Sequence, residues 1–169
     1  MLTLVIGGAA SGKSEYAENW VKGLSGRRIY LATMRPYDNE CLDRIERHRL
    51  KRADRGFETV ERYTDLSGAP IPEGANVLLE CMSNLLANEL YEPEGGGAEA
   101  VFRGVEALSS KCRHLTIVTN EVFSAGADYD KSTLLYLREL AEINRVLASR
   151  SDRVVEVVCG LPHVWKGEP

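Results

Sequence analysis

The chain alternates short apolar runs with longer stretches in which apolar residues recur every three or four positions. The runs are LTLVI (2–6), RRIYLAT (27–33), NVLLEC (76–81), HLTIVTN (114–120) and DRVVEVVCG (152–160). They show little in–out alternation, as expected of strands covered on both faces. The periodic stretches predict helices from about Gly12 to Lys22 and over 39–53, 82–91, 98–111 and 131–149. In the last of these, Leu134, Leu137, Leu140 or Ala141, Ile143 or Asn144, and Leu147 return at helical spacing. Residues 54–75 are less regular, with a short extra strand near ETVERY (58–63). Strands alternating with helices imply βαβ units, hence an α/β fold with a mainly parallel sheet. No internal repeat or linker interrupts the pattern. GGG at 95–97 reads as a loop within one domain spanning 1–169.

Composition narrows the function. The 169 residues are 44% apolar and 27% charged, with a formal net charge of −4. That is ordinary for a soluble globular protein and speaks against general binding to nucleic acid or to an anionic membrane. The opening apolar run ends at Ile6, too short for a signal peptide or a membrane span. Cys41, Cys81, Cys112 and Cys159 form no C-x-x-C pair. Zinc and dithiol roles are therefore not expected, and a cytoplasmic protein with reduced thiols is.

The candidate chemistry begins at GGAASGKS (7–14), which fits G-x-x-x-x-G-K-[ST]. It lies between a predicted strand and a predicted helix, where a phosphate-binding loop belongs. Glycines let backbone N–H groups converge on phosphate oxygens, Lys13 reaches the β- and γ-phosphates, and the Ser14 hydroxyl ligates Mg²⁺. The helix behind the loop aims its positive end at the same anion. A Mg²⁺-nucleotide also calls for an acid at the end of a neighbouring strand. Glu80, ending NVLLE, is the first candidate, Asn120 and Glu121 the second, and Asp38 the weakest.

RIERHRLKR (44–52) concentrates cations in an acidic chain. On a helix, Arg44, His48 and Arg52 share one face, with Lys51 and Arg55 adjoining it, while Leu42 and Ile45 lie on another side. Stacked like charges repel, Asp43 and Glu46 offset only part of this, and a polyphosphate would offset it well. The same cations hold the His48 imidazole below its usual pKa of about 6.5, in the neutral form a nucleophile requires. Attack on the α-phosphorus of a nucleoside triphosphate would give a phosphoramidate and pyrophosphate. His114 and His163 read as structural or exposed.

Several stretches together point to one family: GGAASGKS, LAT-M (31–34), DNECLDRIERHRLKR (38–52), TVE (59–61), LLEC (78–81), VTNEV (118–122) and a strand ending VVCGLP. The series resembles the adenosylcobinamide kinase/adenosylcobinamide-phosphate guanylyltransferase family of cobalamin biosynthesis, over nearly the whole chain. It departs locally, with Phe123 where a glycine is frequent and Phe57 where a tryptophan is. The resemblance implies a three-layer P-loop NTPase fold of RecA-like type and a cytoplasmic homo-oligomer, a trimer. It implies that His48 is the guanylylated residue. It implies nucleotide contacts from Gly7, Gly8, Ala9, Ala10, Ser11, Gly12, Lys13 and Ser14, from Ala32, Thr33 and Met34, from Arg49, Leu50, Lys51 and Arg52, and from Glu61 and Glu80. Mg²⁺ would sit on Ser14 and Glu80, with GTP and ATP as substrates. The acceptors would be the corrinoid adenosylcobinamide and its phosphate. Two rivals share the P-loop: another small-molecule kinase, needing no histidine nucleophile, and a non-enzymatic GTP-dependent switch or regulator that turns over no corrinoid.

Overall fold

A computed structural model describes residues 1–36, 56–123 and 128–168. In chain order the elements are β1 (Leu2–Gly7), α1 (Lys13–Lys22), β2 (Arg28–Ala32), β3 (Glu58–Glu61), β4 (Asn76–Glu80), α2 (Met82–Tyr91), α3 (Gly97–Lys111), β5 (His114–Asn120), α4 (Lys131–Arg150), β6 (Arg153–Val158) and β7 (Leu161–Lys166). A 3-10 turn, Leu66–Gly68, precedes β4. The predicted helix over 39–53 lies outside the described residues.

All seven strands form one sheet in the order β3-β2-β4-β5-β1-β6-β7. Every pairing is parallel except β6 with β7. Alternate residues of the central strands feed two apolar cores. Leu4, Ile29, Leu31, Val77, Leu79, Leu115 and Ile117 face one way and pack with Leu85 and Leu86 of α2, Val101 and Val105 of α3, and Leu140 and Ile143 of α4. Val5, Tyr30, Leu78, Val118 and Val155 face the other way, under Ala17 and Val21 of α1. Helices therefore cover both faces, giving three layers with a mainly parallel sheet between them. This double burial is why the strand sequences are continuous apolar runs. No helix among the described residues is long and apolar enough to cross a membrane.

The short strand expected near 58–63 is present as β3, Glu58–Glu61, at the sheet edge. Three details differ from the sequence reading. The predicted last strand ends at Val158 rather than at Gly160, because Cys159 (φ 51°) and Gly160 (φ 79°) form a two-residue turn with both φ positive, the type that matches strand twist in a hairpin. The chain returns as antiparallel β7, which the sequence reading did not include. On α4, Leu140, Ile143, Asn144 and Leu147 are buried as expected, but Leu134 is 52% exposed. The apolar stripe thus turns away from the core in the first turns of that helix.

Candidate active site

Parallel strands end together, and here their carboxyl ends form one edge. Hydrogen-bond register pairs Ala32 with Glu61 on one side and with Glu80 on the other. It also pairs Glu80 with Val118, and Gly7 with Asn120. Four of the sequence-predicted positions, Gly7, Ala32, Glu61 and Glu80, therefore lie along this edge, as does the second-choice Asn120.

The phosphate-binding loop rises from β1 between Gly7 and α1. Gly7 is buried between the loop and β6: an added Cβ would come within 2.5 Å of Ser11 Oγ and 2.6 Å of the Val157 carbonyl oxygen. Gly12 takes φ 91°, a left-handed conformation that strains any residue with a Cβ, and caps α1 without a side-chain bond. Unoccupied N–H groups in the first turn of α1 are the feature that makes such a helix start attractive to anions. Ser11 N donates to Gly8 O at 3.3 Å. Ala9 and Ala10, with Ala10 at φ 55°, form the exposed crest of the loop. The loop also leans on the β6–β7 turn, where Gly160 N donates to Ser11 O at 2.8 Å.

Lys13 is buried, and its Nζ donates back across the loop to Gly8 O at 3.0 Å. The next residue, Ser14, donates from Oγ to Glu80 Oε1 at 2.6 Å. The two residues predicted to share Mg²⁺ are therefore already in contact. A hydroxyl and a carboxylate suit a hard divalent cation that keeps several waters. Among the described residues no cluster of three or more acidic, His or Cys side chains could hold a metal by itself. A two-residue site of this kind fits Mg²⁺ that arrives with a nucleotide.

Beside Glu80 lies a buried polar cluster. The fully buried Thr33 donates from Oγ1 to Cys81 O at 2.8 Å and accepts from Cys81 N at 2.9 Å. Burial foremost, then the neighbouring Glu80, raises the pKa of the Cys81 thiol. Asn88 Nδ2, from α2, donates to Thr33 O at 2.8 Å and to Tyr63 O at 2.9 Å. Glu61 is exposed, and its Oε2 accepts from the Tyr63 phenol at 3.0 Å. Burial and this carboxylate raise the Tyr63 pKa. Arg35 lies over the Tyr63 ring at 5.4 Å. Met34, half-buried, links Thr33 to Arg35. At the other side, Glu121 N donates to Gly7 O at 3.0 Å, and Asn120 Nδ2 donates to Ser83 Oγ.

The structure thus gathers the loop residues, Ala32, Thr33, Met34, Glu61 and Glu80 around one edge. His48, Arg49, Leu50, Lys51 and Arg52 lie outside the described residues, as does Asp38. His114 is half-buried at the opposite end of β5, and His163 is exposed on β7 against Trp165. Sequence reasoning missed Asn88 and Gly160. The signal for Asn88 was an amide in an apolar helix, and for Gly160 a Cys-Gly pair between two strand-like runs.

Fold and loop define a P-loop nucleotide-binding protein of the α/β class. The fold is shared with flagellar accessory protein FlaH from Methanocaldococcus jannaschii, at TM-score 0.52 and 12% identity, covering 99% of this chain and 78% of that one. A family model described as cobinamide kinase/cobinamide phosphate guanyltransferase matches residues 3–164, and the chain belongs to that family. It is 32% identical to the bifunctional adenosylcobalamin biosynthesis protein CobU of Escherichia coli (strain K12), covering 95% of this chain and 97% of that protein. It is also 32% identical to the bifunctional adenosylcobalamin biosynthesis protein CobP of Pseudomonas aeruginosa, covering 100% of this chain and 99% of the relative.

Proposed function

We propose that this chain carries out both of its family's reactions at the one P-loop: phosphorylation of adenosylcobinamide, then transfer of GMP to the new phosphate through a GMP–His48 intermediate. The observation that carries the reading is the 2.6 Å contact between Ser14 and Glu80 at the mouth of the loop that holds Lys13.

In the kinase reaction the corrinoid hydroxyl attacks the γ-phosphorus of ATP or GTP. The bond from the γ-phosphorus to the bridging oxygen breaks, the nucleoside diphosphate leaves, and the hydroxyl proton is lost. Lys13 shifts from Gly8 O to the phosphates and stabilises charge on the transferred group. In the nucleotidyl reaction an imidazole nitrogen of His48 attacks the α-phosphorus of GTP. A P–N bond forms, the α–β bridge breaks, and pyrophosphate departs against Lys13 and the loop N–H groups. The phosphate oxygen of adenosylcobinamide phosphate then attacks the same phosphorus. The P–N bond breaks, the imidazole is restored, and adenosyl-GDP-cobinamide is formed. Ser14 and Glu80 would hold Mg²⁺, which when bound would neutralise charge on the phosphates. Gly7–Ser14, Ala32–Met34, Arg49–Arg52 and Glu61 supply the remaining nucleotide contacts. Assembly as a trimer and a cytoplasmic location belong to the same proposal.

Mass spectrometry after incubation with GTP and Mg²⁺ tests it. A GMP adduct on His48, labile to acid, stable to alkali and absent from His48→Ala, is expected. Protein that binds GTP yet forms no adduct would leave a plain kinase or a regulator as the better reading.

A further inference from the structure

We infer that Gly160, in the turn between β6 and β7, is a positioning residue for phosphate binding, an inference that rests on the nucleotide chemistry proposed for the loop. Its N–H donates to Ser11 O at 2.8 Å. The Ser11 carbonyl and the Gly12 N–H belong to one planar trans peptide, so they point in opposite directions. Holding the carbonyl against Gly160 therefore aims the Gly12 N–H away from the turn, as a donor for a phosphate oxygen at the start of α1. The contact reaches the loop from the last hairpin of the chain, 149 positions after Ser11 by its sequence number.

This peptide needs an outside support because Gly12 does not enforce its orientation. Gly12 stands at φ 91°, and glycine populates positive and negative φ about equally. Rotating the Ser11–Gly12 peptide, which would turn the Gly12 N–H towards the β6–β7 turn, therefore costs the backbone little. The Ser11 side chain does not resist the rotation: its Oγ is buried and finds no hydrogen-bond partner among the described residues. Ser11 N, which donates to Gly8 O at 3.3 Å, holds only the preceding peptide. A stiffer residue at 12 is barred by packing as well as by φ, since a Cβ there would come within 3.2 Å of Gly160 Cα and 3.8 Å of Val157 Cγ1. The turn thus stands too close for a side chain and supplies instead the bond that selects one orientation. It is itself well fixed, with Val158 paired to Leu161 and Val157 to Pro162 on its two flanks. Without the bond the loop would divide its time between two peptide orientations, and apparent affinity would fall with the competent fraction.

The test measures the dissociation constant for GTP with Mg²⁺ by isothermal titration calorimetry. The informative variant replaces the Gly160 amide by an ester, which removes the donor and adds no side chain. Recombinant 1–158 is joined to synthetic 159–169 at the native Cys159, and a wild-type control is assembled and refolded in the same way. GTP binding about three- to tenfold weaker is expected, the weight of one ordinary backbone hydrogen bond. Gly160→Ala should also lose affinity: its Cβ meets nothing within 4 Å, but φ 79° strains it. Gly160→Asn, which tolerates a left-handed backbone and keeps the N–H, should recover most of the loss. Gly167→Ala is the control for stability alone. Gly167 lies at the far end of the hairpin at φ 88°, and a Cβ there would come within 2.8 Å of Asp152 O. That variant should melt below wild type and bind GTP as wild type does. Should the ester protein not refold, the Gly160 pair decides: loss in Gly160→Ala with recovery in Gly160→Asn supports the inference, and any other pattern overturns it. Wild-type affinity in the ester protein, or equal losses of affinity in Gly160→Ala and Gly167→Ala, overturns the inference alone. Wild type that fails to bind GTP removes the functional reading and this inference with it.

Discussion

Replacing Gly7 by alanine should cost stability before any ligand is considered. The new methyl group would lie 2.6 Å from the Val157 carbonyl oxygen and 2.5 Å from Ser11 Oγ. The hydroxyl can rotate away, but the carbonyl belongs to the β6 backbone, which is held on one side by β1 and on the other by β7. Either the loop must lift or β6 must give. Overpacking of this kind costs about 1–3 kcal/mol. For a chain of this size each kcal/mol lowers Tm by roughly 2–4 °C, so a fall of about 2–12 °C is expected. Differential scanning calorimetry without nucleotide measures it. Gly8→Ala is the matched comparison, because a Cβ there meets nothing within 4 Å. Its Tm should stay near that of the wild type, since a surface change away from such features moves stability by only about 0.5 kcal/mol. Equal melting of Gly7→Ala and wild type would refute the reasoning, as would equal losses in the two variants.

Alkylation at pH 8 should modify Cys159 before the other two described cysteines. Burial pushes Cys112 up to about 11 and raises Cys81 as well, whereas Cys159 is exposed. Peptide mass mapping over time checks the order, and equal rates at Cys112 and Cys159 would contradict it. The start of α4 predicts a pH dependence. Asp130 Oδ1 accepts from Ser132 N at 2.8 Å and Thr133 N at 2.9 Å, and these bonds, the one to Thr133 foremost, lower its pKa. A depressed carboxyl contributes stability above its unfolded value and loses that contribution as pH falls through the folded one. Asp130→Ala should therefore melt below wild type at pH 7, with the gap closing as acid protonates the native carboxyl. A gap that is constant with pH would show that the cap does not act through its charge.

The sheet was legible in the sequence because its strands are covered on both faces. Val77, Leu78 and Leu79 leave no polar position to blur the run. The phosphate loop was legible because its backbone demands are severe: φ 91° at Gly12 and the close approach at Gly7 admit few sequences. Strand β7 was not, because it lies at the edge with Leu161 and Trp165 exposed, so no burial pattern marks it. Asn88 was hidden for the opposite reason. Its amide is satisfied by backbone carbonyls of segments distant in sequence, and carbonyls carry no residue signature. The edge formed by Glu61, Ala32 and Glu80 was predicted piecewise, and strand register is what assembles it.

The placement of β1 has a consequence for synthesis. It is the earliest of the strands, yet both its neighbours in the sheet, β5 and β6, are made late. Leu2 N reaches the Asp152 carboxylate across 150 residues. Gly160, later still, supplies the N–H that steadies the loop at Ser11. A polypeptide leaving the ribosome exposes the phosphate-binding segment well before β5 and β6 and can complete it only once they have followed. A chain halted before β5 and β6 therefore lacks both sheet partners of the strand from which its phosphate-binding loop rises.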